Sequence, residues 1–295
     1  MSNLSDPSMQ EVAVVTTGGT IGSVLSDSVR EVSEDPTPIE QRLRDHRDDL
    51  NVDIDLIPAV NMLSENMEPA DWADVGAQIQ RCVDDGYESI VVTHGTDTMV
   101  YSANALRCAL GETSAQIVFT GSFYGPDAPD NDVEIALRSS LEASISDDVS
   151  SGVYICFRSP DTDERAHLHR AVDTKPMDMD DMGFQSVFDS VVGEYAEADG
   201  WEWHDTPSPT TNTESAGLGG VPDREAYESQ LGDVQLVQAV PGQVLPDVAT
   251  GPSPPKVLVV DLYHSGTASL SEHERGLREF VQNAPEETTV LLVGM

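Results

Sequence analysis

The sequence predicts an α/β fold: a mostly parallel sheet with helices on both faces in a large N-terminal domain, followed by a smaller α/β domain. Short runs of β-branched residues alternate with segments whose apolar residues recur at helical spacing. Strands separated by helices need crossover connections, which make neighbouring strands parallel. A stretch with almost no apolar residue then interrupts this pattern, and apolar strands resume beyond it. We therefore expect two α/β units.

The elements of the N-terminal part can be placed in order. Strands are expected at residues 12–16, 52–60, 89–93, 116–120 and 152–157, and helices at residues 71–83, 98–110 and 133–145. The first of these helices carries Trp72, Val75, Ile79 and Val83 at the spacing of an amphipathic helix. Its apolar face is expected to pack against the sheet.

Composition sets the expected domain boundaries. Residues 1–205 are expected to form the large N-terminal domain, and residues 206–232, rich in Thr, Ser, Pro and Gly, are expected to form a linker. Residues 233–295 form a partial C-terminal domain, with strands at 234–240, 257–262 and 289–293 and a helix at 271–282. Because Met295 directly follows a strand, we expect this smaller domain to be truncated.

The charge balance is strongly acidic. The 295 residues include 53 acidic and 15 basic side chains, a formal net charge of -38. Phosphate binding needs clustered Lys and Arg, so this balance argues against nucleic-acid and membrane partners. Such an acidic coat repels itself in dilute buffer and is tolerated in concentrated salt, which predicts a salt-adapted, halophilic protein. No signal peptide or membrane span is visible, so a cytoplasmic location is expected.

The three cysteines carry no pairing signal. Cys82, Cys108 and Cys156 are odd in number and widely spaced, so buried free thiols are expected. His167 and His169 form an HxH pair. Without a third ligand in view, we expect solvent-exposed histidines and no metal site.

Two threonine-rich turns follow predicted strands. They are TGGTI, from Thr17 to Ile21, and HGTDT, from His94 to Thr98. Open parallel sheets bind ligands beyond the carboxyl ends of their strands, so both turns lie where a site is expected. Glycines there let the backbone approach a substrate and offer N–H groups to a developing oxyanion. A threonine hydroxyl beside such a turn can attack a carbonyl if a base accepts its proton.

The residues alone leave other interpretations of these turns open. Gly18 and Gly19 could form only a tight turn, with Thr20 as a helix N-cap, and Asp97 could cap the helix that follows it. A nucleotide phosphate is disfavoured, because neither GxGxxG nor GxxxxGK is present. Ser64 followed by Glu65 is also common surface chemistry.

Together, TGGTI and HGTDT resemble the double signature of the bacterial-type L-asparaginase family. The resemblance extends to residues 63–67 (LSENM), at the position of the family's substrate-binding loop. It continues to Lys175, nine residues before Phe184, the offset of the family's catalytic lysine from its Phe-x-Ser segment. It covers the chain from about residue 12 to the end and is strongest before residue 190.

The resemblance implies a two-threonine hydrolysis of L-asparagine to L-aspartate and ammonia, with no metal or organic cofactor. Thr20 would be the nucleophile that forms an acyl-enzyme. Thr96, Asp97 and Lys175 would move protons and activate the hydrolytic water. Desolvation would lower the pKa of the lysine toward the range of a general base, whereas Asp97 would oppose that shift, so its protonation state stays open.

The same resemblance implies the substrate contacts and the assembly. Ser64 would bind the α-carboxylate of the substrate, and Glu65 and Asp97 would bind its α-ammonium group. Family sites form between subunits, which implies a homodimer or homotetramer. One departure is visible: residues 23–50 contain no tyrosine, whereas many family members have one in a mobile lid.

Two rival functions remain. The first is the D subunit of the tRNA-dependent amidotransferase, which shares the asparaginase core. Its extra N-terminal β-domain is not expected here, because the first strand begins near Val12, and the acidic charge disfavours a tRNA partner. The second is a non-catalytic amino-acid-binding relative. The joint presence of Thr20, Thr96, Asp97 and Lys175 favours an enzyme.

Overall fold

The computed structural model describes residues 9–19, 21, 23–26, 29–32, 37–125, 128, 131–162, 164–177, 182–187, 191–204, 220–230, 232–239, 254–263, 281–282 and 284–294. The chain divides into two compact units, Met1–Arg224 and Glu225–Met295. Within the described residues, no helix is both long enough and apolar enough to span a membrane.

The largest sheet of the first unit has eight strands in the described part of the chain. In chain order the strands of this unit are β1 (Gln10–Gly18), β2 (Ser23–Ser26), β3 (Val29–Val32), β4 (Val52–Met62), β5 (Ser89–Thr93), β6 (Gln116–Thr120), β7 (Gly152–Arg158), β8 (Arg165–Arg170), β9 (Gly193–Ala196) and β10 (Gly200–Trp203). The sheet order is β10-β9-β8-β7-β6-β5-β1-β4, and β2 pairs with β3 in a separate antiparallel hairpin.

The five strands from β7 to β4 are parallel, as predicted, whereas β8, β9 and β10 extend the sheet in antiparallel fashion. The helices are α1 (Thr37–Leu50), α2 (Asp71–Asp85), α3 (Met99–Leu110) and α4 (Val133–Ser144). The predicted α/β class is confirmed, and each predicted strand and helix of this unit lies within a few residues of its position in the structure.

Helices cover both faces of the sheet, because the central strands are apolar throughout and successive side chains point to opposite faces. On β1, Ala13 and Val15 join one buried cluster with residues of α2 and α3. Val12 and Val14 join a second cluster with residues of α1 and α4. Strands buried on both faces read as continuous apolar runs, which is why β1 and β5 were predictable from sequence.

The second unit carries a three-stranded parallel sheet. Its strands are β11 (Val234–Gln238), β12 (Val257–Leu262) and β13 (Thr289–Gly294), in that order. Among the described residues of this unit, the buried apolar side chains are Val237, Leu258 and Val260. A short helix, α5 (Arg224–Ser229), falls inside the stretch expected as a linker. Of the helix expected at residues 271–282, all but 281–282 lies outside the described residues.

Candidate functional site

The turn that follows β1 requires its two glycines. Gly18 and Gly19 have φ angles of 93° and 77°, a region that side chains with a Cβ rarely adopt. A Cβ on Gly18 would lie 2.6 Å from the carbonyl oxygen of Met62, at the end of β4. The N–H of Gly19 donates to the same oxygen at 3.0 Å. The turn is therefore packed backbone to backbone against the end of β4.

The same turn also contacts the turn that follows β5. A Cβ on Gly19 would lie 2.6 Å from the backbone nitrogen of Gly95. In its turn, a Cβ on Gly95 would lie 2.4 Å from the hydroxyl oxygen of Ser64. Because β5, β1 and β4 are neighbours in the sheet, their carboxyl ends meet at one edge. The structure thus brings together the TGGTI turn, the HGTDT turn and the LSENM segment.

Ser64 opens a single turn of 3-10 helix, Ser64–Asn66, directly beyond β4. Its side chain is buried, whereas Glu65 beside it is exposed. The hydroxyl of Thr98 donates to the carbonyl oxygen of Ser64 at 2.9 Å, which ties this segment to the start of α3. The buried hydroxyl of Thr17 donates to the carbonyl oxygen of Thr93 at 2.8 Å and ties the TGGTI turn to β5. These bonds fix the three segments relative to one another.

His94 lies fully buried beneath the site. Its Nδ1 is 2.8 Å from the carbonyl oxygen of Gly95, which can only accept, so Nδ1 carries the proton of the neutral ring. Burial lowers the pKa of His94 to about 4, opposed only by that hydrogen bond. Its Nε2, which carries no proton in this tautomer, lies 3.2 Å from the sulfur of Met67, and that sulfur accepts a hydrogen bond from the Ser102 hydroxyl at 3.4 Å. His94 is therefore a neutral support for the HGTDT turn.

Thr96 is half-buried and Asp97 is exposed in the turn between β5 and α3. The alternative role of Asp97 as a helix cap is wrong: the N-cap residue of α3 is Thr98, and no side-chain hydrogen bond caps this helix. The Thr98 hydroxyl is used for Ser64 instead. Asp97 is thus left with its carboxylate open to solvent and to a ligand.

Lys175 is exposed and follows β8 after a single 3-10 turn, Ala171–Asp173. Its backbone N–H donates to the carbonyl oxygen of Gln185 at 2.9 Å. Within the described residues, no hydrogen bond or ion pair joins its ammonium group to Thr96 or Asp97. Thr20 lies outside the described residues. Of the predicted site residues, Ser64 is joined to the HGTDT turn by these contacts, and the role of Lys175 stays a prediction.

The expectation of exposed histidines at the HxH pair is wrong for His169. This side chain is 1% exposed, and its Nδ1 lies 2.7 Å from the hydroxyl oxygen of Ser186. His167 is half-buried. No group of three or more metal-ligating side chains occurs among the described residues, in this pair or elsewhere.

The three cysteines are free. Cys82 and Cys156 are buried as expected, but Cys108 is exposed, because it lies on the outer face of α3.

The sequence analysis gave no role to three residues that hold the site together, His94, Thr98 and Met67. The available signal was their position, since all three stand inside the HGTDT and LSENM motifs.

A parallel sheet with glycine turns at the carboxyl ends of adjacent strands is the architecture in which α/β proteins bind small ligands. The profile of the N-terminal domain of asparaginases ("Asparaginase, N-terminal") matches residues 11–209. This match spans more than half of the chain, so the chain belongs to the asparaginase family.

Similar curated proteins are D subunits of the glutamyl-tRNA(Gln) amidotransferase. The chain is 35% identical over 167 residues to the subunit of Halobacterium salinarum, which is 56% of this chain and 38% of the relative. It is 32% identical over 173 residues to the subunit of Methanothermobacter thermautotrophicus, 58% of this chain and 39% of the relative. The aligned region thus spans about two fifths of these relatives.

Two solved structures share the fold. The thermostable L-asparaginase from Thermococcus kodakarensis superposes with a TM-score of 0.72 at 22% identity, over 97% of this chain and 80% of that one. A "probable cytoplasmic L-asparaginase" from Campylobacter jejuni gives a TM-score of 0.70 at 17% identity, over 97% and 83%. Because both sequence identities are below 25%, these similarities show a shared fold and nothing more.

Proposed function

We propose that this chain is an amidohydrolase that converts L-asparagine and water to L-aspartate and ammonia by threonine nucleophilic catalysis. The observation that carries the proposal is the packing of Gly19 on Gly95 and of Gly95 on Ser64. This packing brings the described residues of the TGGTI turn together with the HGTDT turn and the LSENM segment at one edge of the sheet, which supports a shared site. Family membership supports amide hydrolysis as the reaction class.

The nucleophile in this proposal is Thr20, the residue that follows Gly19 in the chain. Its hydroxyl oxygen attacks the side-chain amide carbon, ammonia leaves, and an aspartyl ester forms on Thr20. Water then hydrolyses the ester and restores the threonine. Thr96, Asp97 and Lys175 move the protons of the two steps.

The substrate is held through its α-groups. Ser64 binds the α-carboxylate through its hydroxyl, and its burial against Gly95 gives that hydroxyl a fixed position. The α-ammonium group binds Glu65 and Asp97, both exposed carboxylates on segments joined by the Thr98 bond. Two anionic acceptors suit a cation with three N–H donors.

A second candidate is favoured by the curated relatives, which are amidotransferase D subunits. In that case the same amide chemistry would serve a larger enzyme that acts on glutamyl-tRNA(Gln). The net charge of -38 opposes direct contact of this chain with tRNA. A third candidate is a relative that binds an amino acid without turning it over.

The setting of the enzyme is also part of the proposal. The acidic surface supports a cytoplasmic protein of a salt-adapted organism. A homodimer or homotetramer is part of the proposal, because the resemblance of TGGTI and HGTDT to the family's double signature implies a site formed between subunits. No metal and no organic cofactor enter the reaction as proposed.

The experiment is ammonia release from L-asparagine by the whole chain in molar salt, with Thr20→Ala and the control Thr113→Ala. The Thr113 hydroxyl accepts a backbone hydrogen bond from Ala115, away from the site. The proposal predicts turnover that only Thr20→Ala abolishes. Turnover that needs an added partner subunit and glutamyl-tRNA would favour the amidotransferase. Tight binding of L-asparagine without turnover, both by the chain alone and with the added subunit and glutamyl-tRNA, would favour the non-catalytic amino-acid-binding relative.

A further inference from the structure

A two-residue antiparallel pairing holds Lys175 in place. Thr174 forms an isolated β-bridge with Ser186, and the N–H of Lys175 donates to the carbonyl oxygen of Gln185 at 2.9 Å. The hydroxyl of Thr174 also donates to the carbonyl oxygen of Arg170 at 2.7 Å, which turns the chain away from β8. Lys175 is exposed, so the position of its backbone depends on this pairing and not on burial of its side chain.

Ser186, the partner of Thr174 in this bridge, is hydrogen-bonded to the buried side chain of His169. His169 stands on β8 opposite Ile155 of β7, so the two side chains point to the same face of the sheet. Ile155 belongs to the buried cluster on that face, and His169 is 1% exposed. Its Nδ1 lies 2.7 Å from the hydroxyl oxygen of Ser186.

The burial of the His169 imidazole is energetically unfavourable, which indicates that this side chain does more than fill space in the core. The Nε2 atom of His169 has no hydrogen-bond partner among the described residues. Burying an imidazole among apolar side chains costs solvation free energy, which an apolar side chain at this position would avoid. The imidazole brings one specific contact in return, its bond to Ser186.

The segment that contains Ser186, residues 183–186, is fixed at its other end as well. Phe184 packs edge-on against Phe157, with ring centroids 5.0 Å apart. A Cβ on Gly183 would lie 2.7 Å from the carbonyl oxygen of Arg158, so this backbone is pressed against the end of β7. The segment 183–186 is thus anchored at both ends, and His169 sets the end that pairs with residues 174 and 175.

We propose that the buried His169–Ser186 hydrogen bond is a positioning device that fixes the backbone of Lys175. Without it, Ser186 loses its support, the pairing with residues 174–175 loosens, and the lysine no longer stands at a defined place. The contacts that hold Ser64, among them Thr98 and Gly95, do not involve this segment. The effect on catalysis rests on the proposed function. Loss of the His169–Ser186 hydrogen bond is expected to lower kcat and to leave KM nearly unchanged.

The backbone of Lys175 can be observed alone, because the chain contains only two lysines, Lys175 and Lys256. Protein labelled with [15N]lysine gives two backbone amide signals, which Lys256→Arg assigns. Ser186→Ala is expected to speed hydrogen exchange at the Lys175 amide by about three- to tenfold, the factor that corresponds to one ordinary hydrogen bond. The Lys256 amide should not change, and Ser186→Thr, which keeps the hydroxyl, should restore protection.

A second pair of variants covers the case in which Ser186→Ala does not fold. His169→Leu removes the ring nitrogen and should expose the Lys175 amide to exchange, whereas His169→Asn offers an amide group near the Nδ1 position and should protect it. Unchanged exchange at Lys175 in a folded Ser186→Ala or His169→Leu protein would overturn the proposal.

The activity measurement uses the same variants. We expect Ser186→Ala to lower kcat for L-asparagine by about tenfold, with KM within about a factor of two, and Ser186→Thr to recover most of the rate. The control is Ser140→Ala, which removes a buried hydroxyl bonded at 2.7 Å to Ala136 in α4 and should leave kcat unchanged. A rise in KM equal to the fall in kcat would contradict a role through Lys175. If the unmodified chain turns over no asparagine, the proposed function fails, while the exchange measurement still decides the positioning role.

Discussion

Gly19 and Gly95 are packed backbone against backbone, with no room for a side chain between them. A Cβ built on Gly19 would stand 2.6 Å from the nitrogen of Gly95 and 2.9 Å from its α-carbon. The two residues are far apart in sequence but lie at the ends of the adjacent strands β1 and β5. Their contact makes the two threonine motifs one surface.

Replacing Gly19 by alanine should therefore damage the site more than the fold. Gly200 is a matched control, because it has the same φ of 77° and nothing within 4 Å of the added Cβ. Both substitutions pay the cost of a left-handed conformation, about 1–2 kcal/mol. Only Gly19→Ala also forces the two turns apart, and a shift of about 1 Å can cost roughly 100-fold in rate. Asparagine turnover and thermal unfolding of both variants separate the two effects. Equal activity in the two variants would show that the contact does not matter for catalysis.

The Thr98–Ser64 bond should be visible in substrate binding. Thr98→Val keeps the shape of the side chain and removes the hydroxyl that holds the carbonyl oxygen of Ser64. We expect KM for L-asparagine to rise by about three- to tenfold, the net value of one hydrogen bond, with a smaller change in kcat. The control is Thr288→Val, which removes a similar 2.7 Å bond to the carbonyl oxygen of Pro255 in the second unit. An unchanged KM in Thr98→Val would detach this bond from substrate binding.

Acid should destabilise the protein through its buried histidines. Burial lowers the pKa of His94 to about 4 and that of His169 to about 3, from an ordinary value of 6.5. Between about pH 6.5 and 4, the unfolded chain binds protons that the folded protein excludes, so stability falls as the pH falls, by up to about 1.4 kcal/mol per pH unit for each ring. Above about pH 6.5 this contribution is complete and constant.

The measurement is the free energy of unfolding in urea at fixed salt, for the unmodified chain and for His94→Asn. Because the variant has no ring to protonate at this position, its stability relative to the unmodified chain should improve steadily from pH 6.5 to pH 4. A difference that stays constant over this range would mean that His94 titrates normally in the folded protein.

The fold was largely predictable because its central strands and helices carry strong apolar periods. Helix α1 was missed because Ile39 and Leu43 are the buried apolar residues among its described side chains, too few to give a visible period. Strands β8 to β10 were missed because they are short and carry polar residues, among them the buried His169. A sequence cannot show that a histidine is buried when its partner, Ser186, is distant along the chain.

The candidate site was predictable to a different degree. The glycine turns could be placed at strand ends from local pattern alone, and the structure packs Gly19 on Gly95 there. Ser64 was predicted as a site residue only through the resemblance to a family, because a Ser-Glu pair by itself does not indicate a binding site. The contacts of Thr98 and Met67 depend on the tertiary arrangement of β4, β5 and α3. The predicted roles of Thr20 and Lys175 remain predictions.

The most direct test of the account is to look for the acyl-enzyme itself. Reaction of the whole chain with excess L-asparagine in molar salt is quenched in acid after a few milliseconds, and the peptides are analysed by mass spectrometry. The proposed mechanism predicts the added mass of one aspartyl group on the peptide that contains Thr20. In Thr20→Ala, both this added mass and the release of ammonia should be lost. An aspartyl group on Thr96 instead, or ammonia release that persists in Thr20→Ala, would contradict it.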